Sequence, residues 1–310
     1  AAVESYLPER IVTNDELSSS LETSHDWIVK RTGIQRRHLV CDSEDSLSMS
    51  LAATRKLLEK TGHSASTINA VVVATSTPNQ AMPSIACQLC NLLGIDSAFS
   101  LDINAACSGF LYALSVANDR IKYHDEDVVL VVGVDTMSRI TNWEDRSTAV
   151  LFGDGAGAAL LVRSAEPGVR FVHCSSESIG ADLLKTTQYK SNGSPCQLTM
   201  QGKEVFRFAV DRLSRGTKSV LKKHHIATNS IDLVIPHQAN TRILDQVTKF
   251  LNLERAKVVK TLQDHANTSA ASIPLALCTA DHNGFLATGS RVLFNAFGAG
   301  FTWAVAVCDF

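Results

Sequence analysis

The feature that most constrains the fold of this chain is an internal repeat with a period of roughly 160 residues. In each half, an apolar run rich in β-branched residues enters a polar loop. A second polar loop then leads into an apolar helix, and a further apolar strand follows. The matched pairs are residues 68–75 with 231–237, 104–109 with 265–270, and 128–134 with 292–297. The chain is therefore predicted to fold as two related halves, with a junction near residues 163–168.

The alternation of strands and helices within each half predicts an α/β architecture built in layers. The helices that follow Cys107 and Asn267 are apolar on nearly every face, so each must be buried on all sides. One such helix from each half fits between two sheets, which gives the layer order α/β/α/β/α. We expect residues 1–164 to form the half that carries Cys107, and residues 165–310 to form the half that carries Asn267.

The composition of the chain excludes several classes of protein. Of its 310 residues, 45% are apolar and 19% are charged, which is typical of a globular protein with a large core. A net charge of −2 gives no global basis for binding nucleic acid, and no apolar run reaches the roughly 18 residues of a membrane helix.

The cysteines and the start of the chain bear on its location. Eight scattered cysteines indicate free thiols in a reducing compartment. No signal peptide is visible, so the predicted location is the cytoplasm. A plastid or another organelle stays an alternative if a transit peptide has been removed.

Cys107 is the first candidate for chemistry. It lies in the segment Asn-Ala-Ala-Cys-Ser-Gly, between an apolar run and an apolar helix. Unpaired N–H groups at the start of a helix favour a thiolate, so we expect a lowered pKa for Cys107. Its small neighbours leave room for a bulky substrate. Taken alone, the pattern is equally compatible with an inert cysteine that packs as a small hydrophobic residue.

His237 and Asn267 are two further candidates, and both lie in the second half. His237 directly follows a predicted strand, where ligands of α/β proteins collect, although a single histidine is more often structural. Asn267 lies in the loop that matches the Cys107 loop in the repeat, so the two residues are expected to point into the same crevice and face each other with His237 beside them. Convergence of the three loops predicts a Cys/His/Asn catalytic site.

Seven stretches of the sequence, taken in order, resemble β-ketoacyl-acyl-carrier-protein synthase III, a family of thiolase-like condensing enzymes. They cover essentially the whole chain: residues 6–10, 26–34, 104–110, 151–157, 236–240, 267–274 and 296–303. The resemblance implies an α/β protein of the thiolase-like type, a five-layer α/β/α/β/α sandwich made from two pseudo-duplicated halves.

The resemblance also implies a reaction. Cys107 would take the acyl group of an acyl-CoA, acetyl-CoA by default, as a thioester. Malonyl-acyl carrier protein would then lose CO₂ to give an enolate stabilised by His237 and Asn267, and the resulting carbanion would attack the acyl group. The N–H groups of Cys107 and Ala299 would form an oxyanion hole. This reaction starts fatty-acid synthesis; coenzyme A thioester is a substrate, and no cofactor or metal is expected.

Substrate-binding residues follow from the same resemblance. Trp27 and Arg146 match residues that enclose the adenine of coenzyme A, and an indole and a guanidinium are suited to stack on a purine. The remaining residues expected to bind coenzyme A are Arg31, Thr32, Arg207, Ala239 and Asn240. Those expected to bind the carrier protein are Arg212, Arg242 and Lys249. The alternative interpretation of these positions is a core tryptophan with arginines and lysines that are only solvated.

Some positions depart from the family pattern. Met82 stands where the family often has Phe, on a loop that in the resembling dimers reaches the acyl pocket of the partner. Ala266 and Ala299 stand where Gly is common, and both are small enough to preserve the catalytic assignment. Arg207 replaces a common Lys. A flexible methionine changes the shape of a pocket, so the identity of the acyl group stays open.

Three alternative functions compete with the synthase. The first is a related acyltransferase or a secondary-metabolite condensing enzyme that uses another acyl-CoA. A biosynthetic thiolase is disfavoured because the turn near the C-terminus continues with Trp303 and Ala304 instead of a second catalytic cysteine. An inactive partner subunit is disfavoured because the three candidate catalytic residues are all present. A homodimer is expected from the resemblance and from residues 128–134, an apolar strand that we predict to continue the sheet into a partner.

Overall fold

The framework of the protein is a pair of five-stranded sheets, seen in a computed structural model that describes residues 2–124, 126–166, 168–187, 196–253 and 256–310. The strands are β1 (Ala2–Tyr6), β2 (Ile11–Thr13), β3 (Arg36–His38), β4 (Ala70–Ala74), β5 (Phe99–Ile103), β6 (Val128–Thr136), β7 (Asp154–Val162), β8 (Val169–Ser176), β9 (Leu184–Thr186), β10 (Leu198–Met200), β11 (Leu233–Pro236), β12 (Lys257–Val258), β13 (Arg291–Gly298) and β14 (Thr302–Asp309). The short pairs β2–β3 and β9–β10 lie outside the two main sheets.

Helices cover both sheets and fill the space between them. The α-helices are α1 (Asn14–Ser18), α2 (His25–Thr32), α3 (Ser46–Thr61), α4 (Ile85–Leu93), α5 (Gly109–Tyr123), α6 (Arg146–Ala149), α7 (Gly202–Asp211), α8 (Thr217–Lys223), α9 (Thr241–Leu251), α10 (Leu262–His265) and α11 (Ser272–His282). A π-helical turn, Arg212–Gly216, joins α7 to α8. Among the described residues, no helix has both the length and the apolar character needed to span a lipid bilayer.

The two main sheets have the same topology, which confirms the predicted repeat. The strand order is β1-β7-β6-β4-β5 in the first sheet and β8-β14-β13-β11-β12 in the second. In both sheets the first two pairs of neighbours are antiparallel and the last two are parallel. Each strand of one sheet thus has a counterpart of the same place and direction in the other.

The expected role of residues 128–134 at a dimer interface was wrong. These residues form β6, which pairs along its length with β7 on one side and with β4 on the other. A strand inside a sheet has no free backbone groups with which to continue the sheet into a partner. The free edge of the first sheet next to β4 is instead β5.

The apolar helices α5 and α11 form the middle layer, as their sequences predict. Side chains of both helices share one buried cluster with residues from both main sheets. The helices approach the strands closely, since a Cβ atom added to Gly157 of β7 would lie 2.6 Å from the Cβ of Pro274 in α11. Helices α3 and α4 cover the outer face of the first sheet, and α7, α8 and α9 cover that of the second. The α/β/α/β/α order is confirmed.

Candidate active site

Three loops place Cys107, His237 and Asn267 around one open cavity of about 260 Å³. Cys107 lies in the 3₁₀ turn that precedes α5, His237 directly follows β11, and Asn267 lies between α10 and α11. Cys107, His237 and Asn267 are 8%, 2% and 7% exposed, respectively. The structure therefore brings together the three side chains that the sequence singled out, one from the first half and two from the second.

The backbone next to Cys107 and Asn267 is conformationally unusual in the same way. Ala106 and Ala266, the residues immediately before them, have φ angles of +47° and +57°. Residues with a Cβ atom rarely adopt positive φ, and where they do the strain is commonly held at functional sites. The counterpart of Ala106 in the repeat is Ser269, with φ +51°, since each is the first residue of the 3₁₀ turn that leads into the buried helix.

The Asn267 amide has a defined orientation. Its Oδ1 accepts a hydrogen bond of 2.9 Å from the backbone N–H of Ser269. The backbone of Asn267 is held on both sides, because its N–H donates to Leu151 O and its carbonyl accepts from Gly153 N–H. With Oδ1 used in this way, Nδ2 is the part of the amide that serves as a donor.

His237 is a neutral side chain in this site. Burial lowers its pKa to about 3, so the imidazole carries no charge at neutral pH. Its Nδ1 lies 2.6 Å from the hydroxyl oxygen of Ser272, and this hydroxyl also accepts weakly from the N–H of Gln238. We assign the Ser272 hydroxyl as the donor to Nδ1, because it already accepts from Gln238, and this assignment leaves the ring proton on Nε2. Ser272 therefore positions His237 as an Nε2–H donor.

The pKa of Cys107 differs from the sequence-based expectation. Burial raises the pKa of the thiol to about 12, and the negative charge of Asp135 acts in the same direction. A hydrogen bond with the Ser269 side chain and the backbone N–H of Cys107 itself act against this rise. The expected lowering was wrong because the loss of water around a fully buried sulfur outweighs the favourable helix start.

Asp135 and Ser269 are functional candidates that the sequence reasoning missed. The Asp135 carboxylate is buried at the end of β6 and accepts hydrogen bonds from the hydroxyls of Thr75 and Thr77 and from the N–H groups of Ser76 and Ala270. The Ser269 side chain is also hydrogen-bonded to Asp135, and burial raises the pKa of Asp135. The signal in the sequence was an acidic residue at the end of a wholly apolar strand.

The turn at Ala299 lies directly against the backbone of Cys107. A Cβ atom added to Gly298 would lie 2.8 Å from the Cys107 nitrogen, so only glycine allows this approach. The hydroxyl of Thr302 lies 2.8 Å from the carbonyl oxygen of Ala105 and 3.1 Å from that of Ala299, and so ties the two loops together. Ala299 itself lines the cavity.

Trp27, Arg31 and Arg146 form a cluster on the surface. The guanidinium carbons of Arg146 and Arg31 lie 5.0 Å and 5.7 Å from the centre of the indole ring. Arg146 thus already occupies a stacking position on the ring. Thr32 lies differently: its buried hydroxyl donates to Ile28 O and accepts from Ile34 N–H, so it does not face a ligand.

The remaining predicted contacts are spread over α7, the π-helical turn and α9. Ala239 and Asn240 line the cavity, and Asn240 also caps α9 and donates to the carbonyl of Arg31. Arg207 is exposed and pairs with Glu204, and Arg212 is engaged by Glu177 and Asp211. The exposed charges of α9 are Arg242, Asp245 and Lys249.

Met82 does not line the cavity of its own chain. It is 80% exposed, on the loop between β4 and α4.

A five-layer fold of two matched halves, with a cysteine, a neutral histidine and an asparagine around a cavity between them, defines a thiolase-like condensing enzyme. Sequence patterns agree: that of 3-oxoacyl-[acyl-carrier-protein] synthase III matches residues 101–180, and that of its C-terminal region matches residues 221–310. The β-ketoacyl-[acyl-carrier-protein] synthase III of Methylococcus capsulatus is 42% identical over 306 residues, 97% of this chain and 95% of the relative.

Solved structures give the same result. The 3-oxoacyl-[acyl-carrier-protein] synthase III of Aquifex aeolicus superposes with a TM-score of 0.94 at 36% identity, covering 99% of this chain and 98% of that one. The priming β-ketosynthase of the R1128 polyketide pathway has a TM-score of 0.95 at 34% identity, with 99% and 94% covered. The chain belongs to the β-ketoacyl-acyl-carrier-protein synthase III family, as its sequence predicted, and it is an acyltransferase.

Proposed function

We propose that the protein condenses an acyl-CoA, acetyl-CoA by default, with malonyl-acyl carrier protein to give a 3-oxoacyl-acyl carrier protein, the first condensation of fatty-acid synthesis. The observation that carries this proposal is the convergence of Cys107, His237 and Asn267 on one cavity. The curated relative named above is a β-ketoacyl-[acyl-carrier-protein] synthase III, which favours this reaction over secondary metabolism.

The first step is transfer of the acyl group to the enzyme. The sulfur of Cys107 attacks the thioester carbonyl, a new S–C bond forms, and the bond to the coenzyme A sulfur breaks. The proton lost by Cys107 leaves with coenzyme A as its thiol. The backbone N–H groups of Cys107 and Ala299 hold the oxyanion that forms during the exchange.

The second step is decarboxylation of the malonyl group. Its C–C bond breaks, CO₂ leaves, and the electron pair is delocalised onto the thioester oxygen as an enolate. The Nε2–H of His237 and the Nδ2–H of Asn267 donate to this oxygen. Both groups are uncharged donors, so they stabilise the negative charge of the enolate by hydrogen bonding and do not need to be ionised.

The third step joins the two fragments. The enolate carbon attacks the acyl carbonyl on Cys107, the new C–C bond forms and the C–S bond breaks. The oxyanion again lies at the N–H groups of Cys107 and Ala299. The released thiolate takes up a proton, which restores the neutral thiol that burial favours.

Substrate contacts are assigned by position. Trp27, Arg31 and Arg146 take the nucleotide of coenzyme A, because an adenine displacing Arg146 from the indole face would be enclosed by both groups. Ala239 and Asn240 form the wall of the channel. The carrier protein, which is acidic, docks on the exposed face of α9 through Arg242 and Lys249. Thr32, Arg207 and Arg212 are not assigned a contact with coenzyme A or the carrier protein. The Thr32 hydroxyl is buried and hydrogen-bonded to a backbone carbonyl, and each arginine pairs with a carboxylate of its own chain.

The proposed assembly is a homodimer formed at the β5 edge. Phe99 is exposed on this strand, Leu92 is exposed on α4, which packs against β5, and Met82 is exposed on the loop that precedes α4. Met82, which points away from its own cavity, would then contribute to the acyl pocket of the partner. Within each chain, we place the boundary between the two halves at residues 164 and 165, between β7 and β8.

The cytoplasm is the proposed site of action. All eight cysteines are free thiols, including exposed Cys41 and Cys87, and such thiols persist in a reducing compartment.

The proposed function is tested with radiolabelled acetyl-CoA. The label should become covalently attached to the wild-type chain but not to Cys107→Ala. Addition of malonyl-acyl carrier protein should then release labelled acetoacetyl-acyl carrier protein. A panel of branched and longer acyl-CoAs identifies the preferred primer. A wild-type enzyme that fails to form a 3-oxoacyl product with any acyl-CoA of the panel would sink the proposal.

A further inference from the structure

Far from the cavity, Glu4, Cys278 and His282 bring three different donor atoms together. The Cys278 sulfur lies 3.7 Å from Glu4 Oε2 and 3.9 Å from His282 Nε2, and this nitrogen lies 3.1 Å from Glu4 Oε1. One ligand atom from each residue lies within 4.8 Å of the others. The catalytic proposal makes no use of these residues.

These separations match the edges of a tetrahedral zinc site. With Zn–S of about 2.3 Å and Zn–N and Zn–O bonds of about 2.0–2.2 Å, tetrahedral angles place sulfur about 3.5 Å from the other two donors. The nitrogen and oxygen are then about 3.3 Å apart. To bind one ion, the sulfur and the nitrogen must approach each other by about 0.4 Å, and the Glu4 carboxylate must turn so that one oxygen faces both, since Oε2 now lies near the sulfur and Oε1 near the nitrogen. Thiolate, imidazole and carboxylate together are a ligand set that suits Zn²⁺.

The local structure also favours a cation. Cys278 and His282 are four residues apart on α11, so their side chains share one face of the helix. His282 is the last residue of α11, where the helix dipole is negative. Its side chain is 57% exposed, whereas that of Glu4 is 12% exposed, which leaves an open route from solvent to an otherwise buried set of donors.

Lys60 is the group that competes with a metal ion. Its ammonium lies 2.8 Å from Glu4 Oε1 and 2.7 Å from Asp281 Oδ2. An ion at the site would displace Lys60 from Glu4, and the bond to Asp281 gives the lysine an alternative partner. Without a metal, Glu4, Lys60, Asp281 and His282 form an ion-pair network to which Cys278 is hydrogen-bonded, and the two interpretations differ in what removal of Lys60 does.

We propose that Glu4, Cys278 and His282 form a binding site for Zn²⁺, with water as the fourth ligand. Binding replaces the thiol proton of Cys278, which is released to solvent. Glu4 comes from β1 in the first half, and the other two residues come from α11 in the second. The ion therefore links the two halves of the chain and stabilises the folded protein, because the unfolded chain does not hold the three donors together.

The test is titration of the full, metal-free chain with Zn²⁺ by isothermal calorimetry, and with Co²⁺ followed by its thiolate charge-transfer absorption. Cys278→Ser and His282→Gln should each lose one bound ion per chain relative to wild type, and Cys278→Ser should also lose the charge-transfer band. Zn²⁺ should raise the melting temperature of wild type but not of these variants. Lys60→Met, which removes the competitor, should bind the ion roughly tenfold more tightly.

Matched controls separate this site from other thiols and imidazoles. Cys87→Ser and His124→Gln change exposed residues elsewhere and should bind as many ions as wild type. His282 is exposed, so its variant keeps the proposal testable if Cys278→Ser folds poorly. Equal stoichiometry in wild type and His282→Gln would overturn the proposal. So would a Lys60→Met chain that is destabilised and binds no more tightly, because that result describes an ion-pair network alone.

Discussion

At the scale of single residues, the site separates two tasks that depend on charge. His237 is held neutral by burial and oriented by Ser272, and Asn267 is oriented by Ser269. In the proposed reaction both present N–H groups to the enolate, whereas Cys107 attacks the thioester. The two tasks use different side chains, so substitution can remove one of them and leave the other.

Asn267→Ala is expected to separate the two half-reactions. Loss of one oxyanion donor should slow decarboxylation of malonyl-acyl carrier protein by about 10²–10³-fold, while acylation of Cys107 by acetyl-CoA stays within a fewfold of wild type. Both rates can be measured with labelled substrates. Equal slowing of the two steps would show that Asn267 acts on Cys107 and not on the enolate.

Ser269→Ala is expected to make Cys107 harder to ionise. Since burial raises the pKa of this thiol to about 12, the thiolate fraction is small at neutral pH and rises about tenfold for each unit of pH below that value. Alkylation by iodoacetamide should follow this slope. Removal of the Ser269 hydroxyl raises the pKa further, so the variant should react about fivefold more slowly at a given pH.

Ser230→Ala, which changes an exposed hydroxyl in a distant turn, is the control for this measurement. An alkylation rate of wild type that is already constant between pH 7 and pH 9 would contradict the raised pKa.

At the scale of elements, the turns that enter α5 and α11 determine the catalytic geometry. Ala266 has φ +57° and ψ −161°, a region that residues other than glycine avoid. It is also completely buried, so the turn has no room to relax toward solvent. The strain is held by the packing of α11 between the sheets, and it fixes the position of Asn267.

Ala266→Gly tests this strain. Relief of the backbone strain at this position should offset two losses, the missing methyl contact and the greater conformational freedom of the unfolded chain. The free energy of unfolding should therefore be unchanged or higher. Ala113→Gly, at an equally buried position inside α5, should lower it by about 1–2 kcal/mol. Urea unfolding of both variants makes the comparison. Equal losses would mean that Ala266 is not strained.

At the scale of the whole molecule, the open edge at β5 determines how the chain assembles. Phe99 N–H donates to the carbonyl of Asn69, just before β4, and the Ile103 carbonyl accepts from the N–H of Thr75, just after it. The backbone groups of Ser100 and Asp102 therefore point away from the sheet. Asp102 is already engaged at its side chain, where it caps the start of α4. The outward N–H of Ser100 has no role in its own sheet and is therefore available to a partner strand.

Ser100→Pro should weaken the proposed homodimer. Proline removes the outward N–H and leaves the bonds to β4 in place, so the variant should elute as a monomer in size-exclusion chromatography with light scattering. Ser100→Ala keeps the N–H and should stay dimeric. If the wild-type chain is itself monomeric at micromolar concentration, the assembly proposed here is wrong.

The sequence predicted the layered fold because its repeat and its two apolar helices leave few other arrangements. It also predicted that Cys107, His237 and Asn267 meet, since equivalent loops of a duplicated fold lie opposite each other. It did not predict the pKa of Cys107, which depends on how completely water is excluded. It missed Asp135, although an acidic residue at the end of the apolar strand β6 was a local signal, and it missed Ser269 because hydrogen bonds between distant loops leave no local pattern. The error about residues 128–134 has a similar cause, since a central strand and an edge strand can have the same apolar composition.

The identical strand order of the two sheets has a consequence for how the catalyst is divided. Two equal halves facing each other would create two equal sites, but in the proposed reaction one turn holds the nucleophile and its counterpart holds an amide donor. Neither half contains the reaction on its own, and exchanging the two side chains would not restore it, because His237 stands on one side only. The two halves have the same fold but different roles in the proposed reaction, so the chain has one active site although its geometry would allow two.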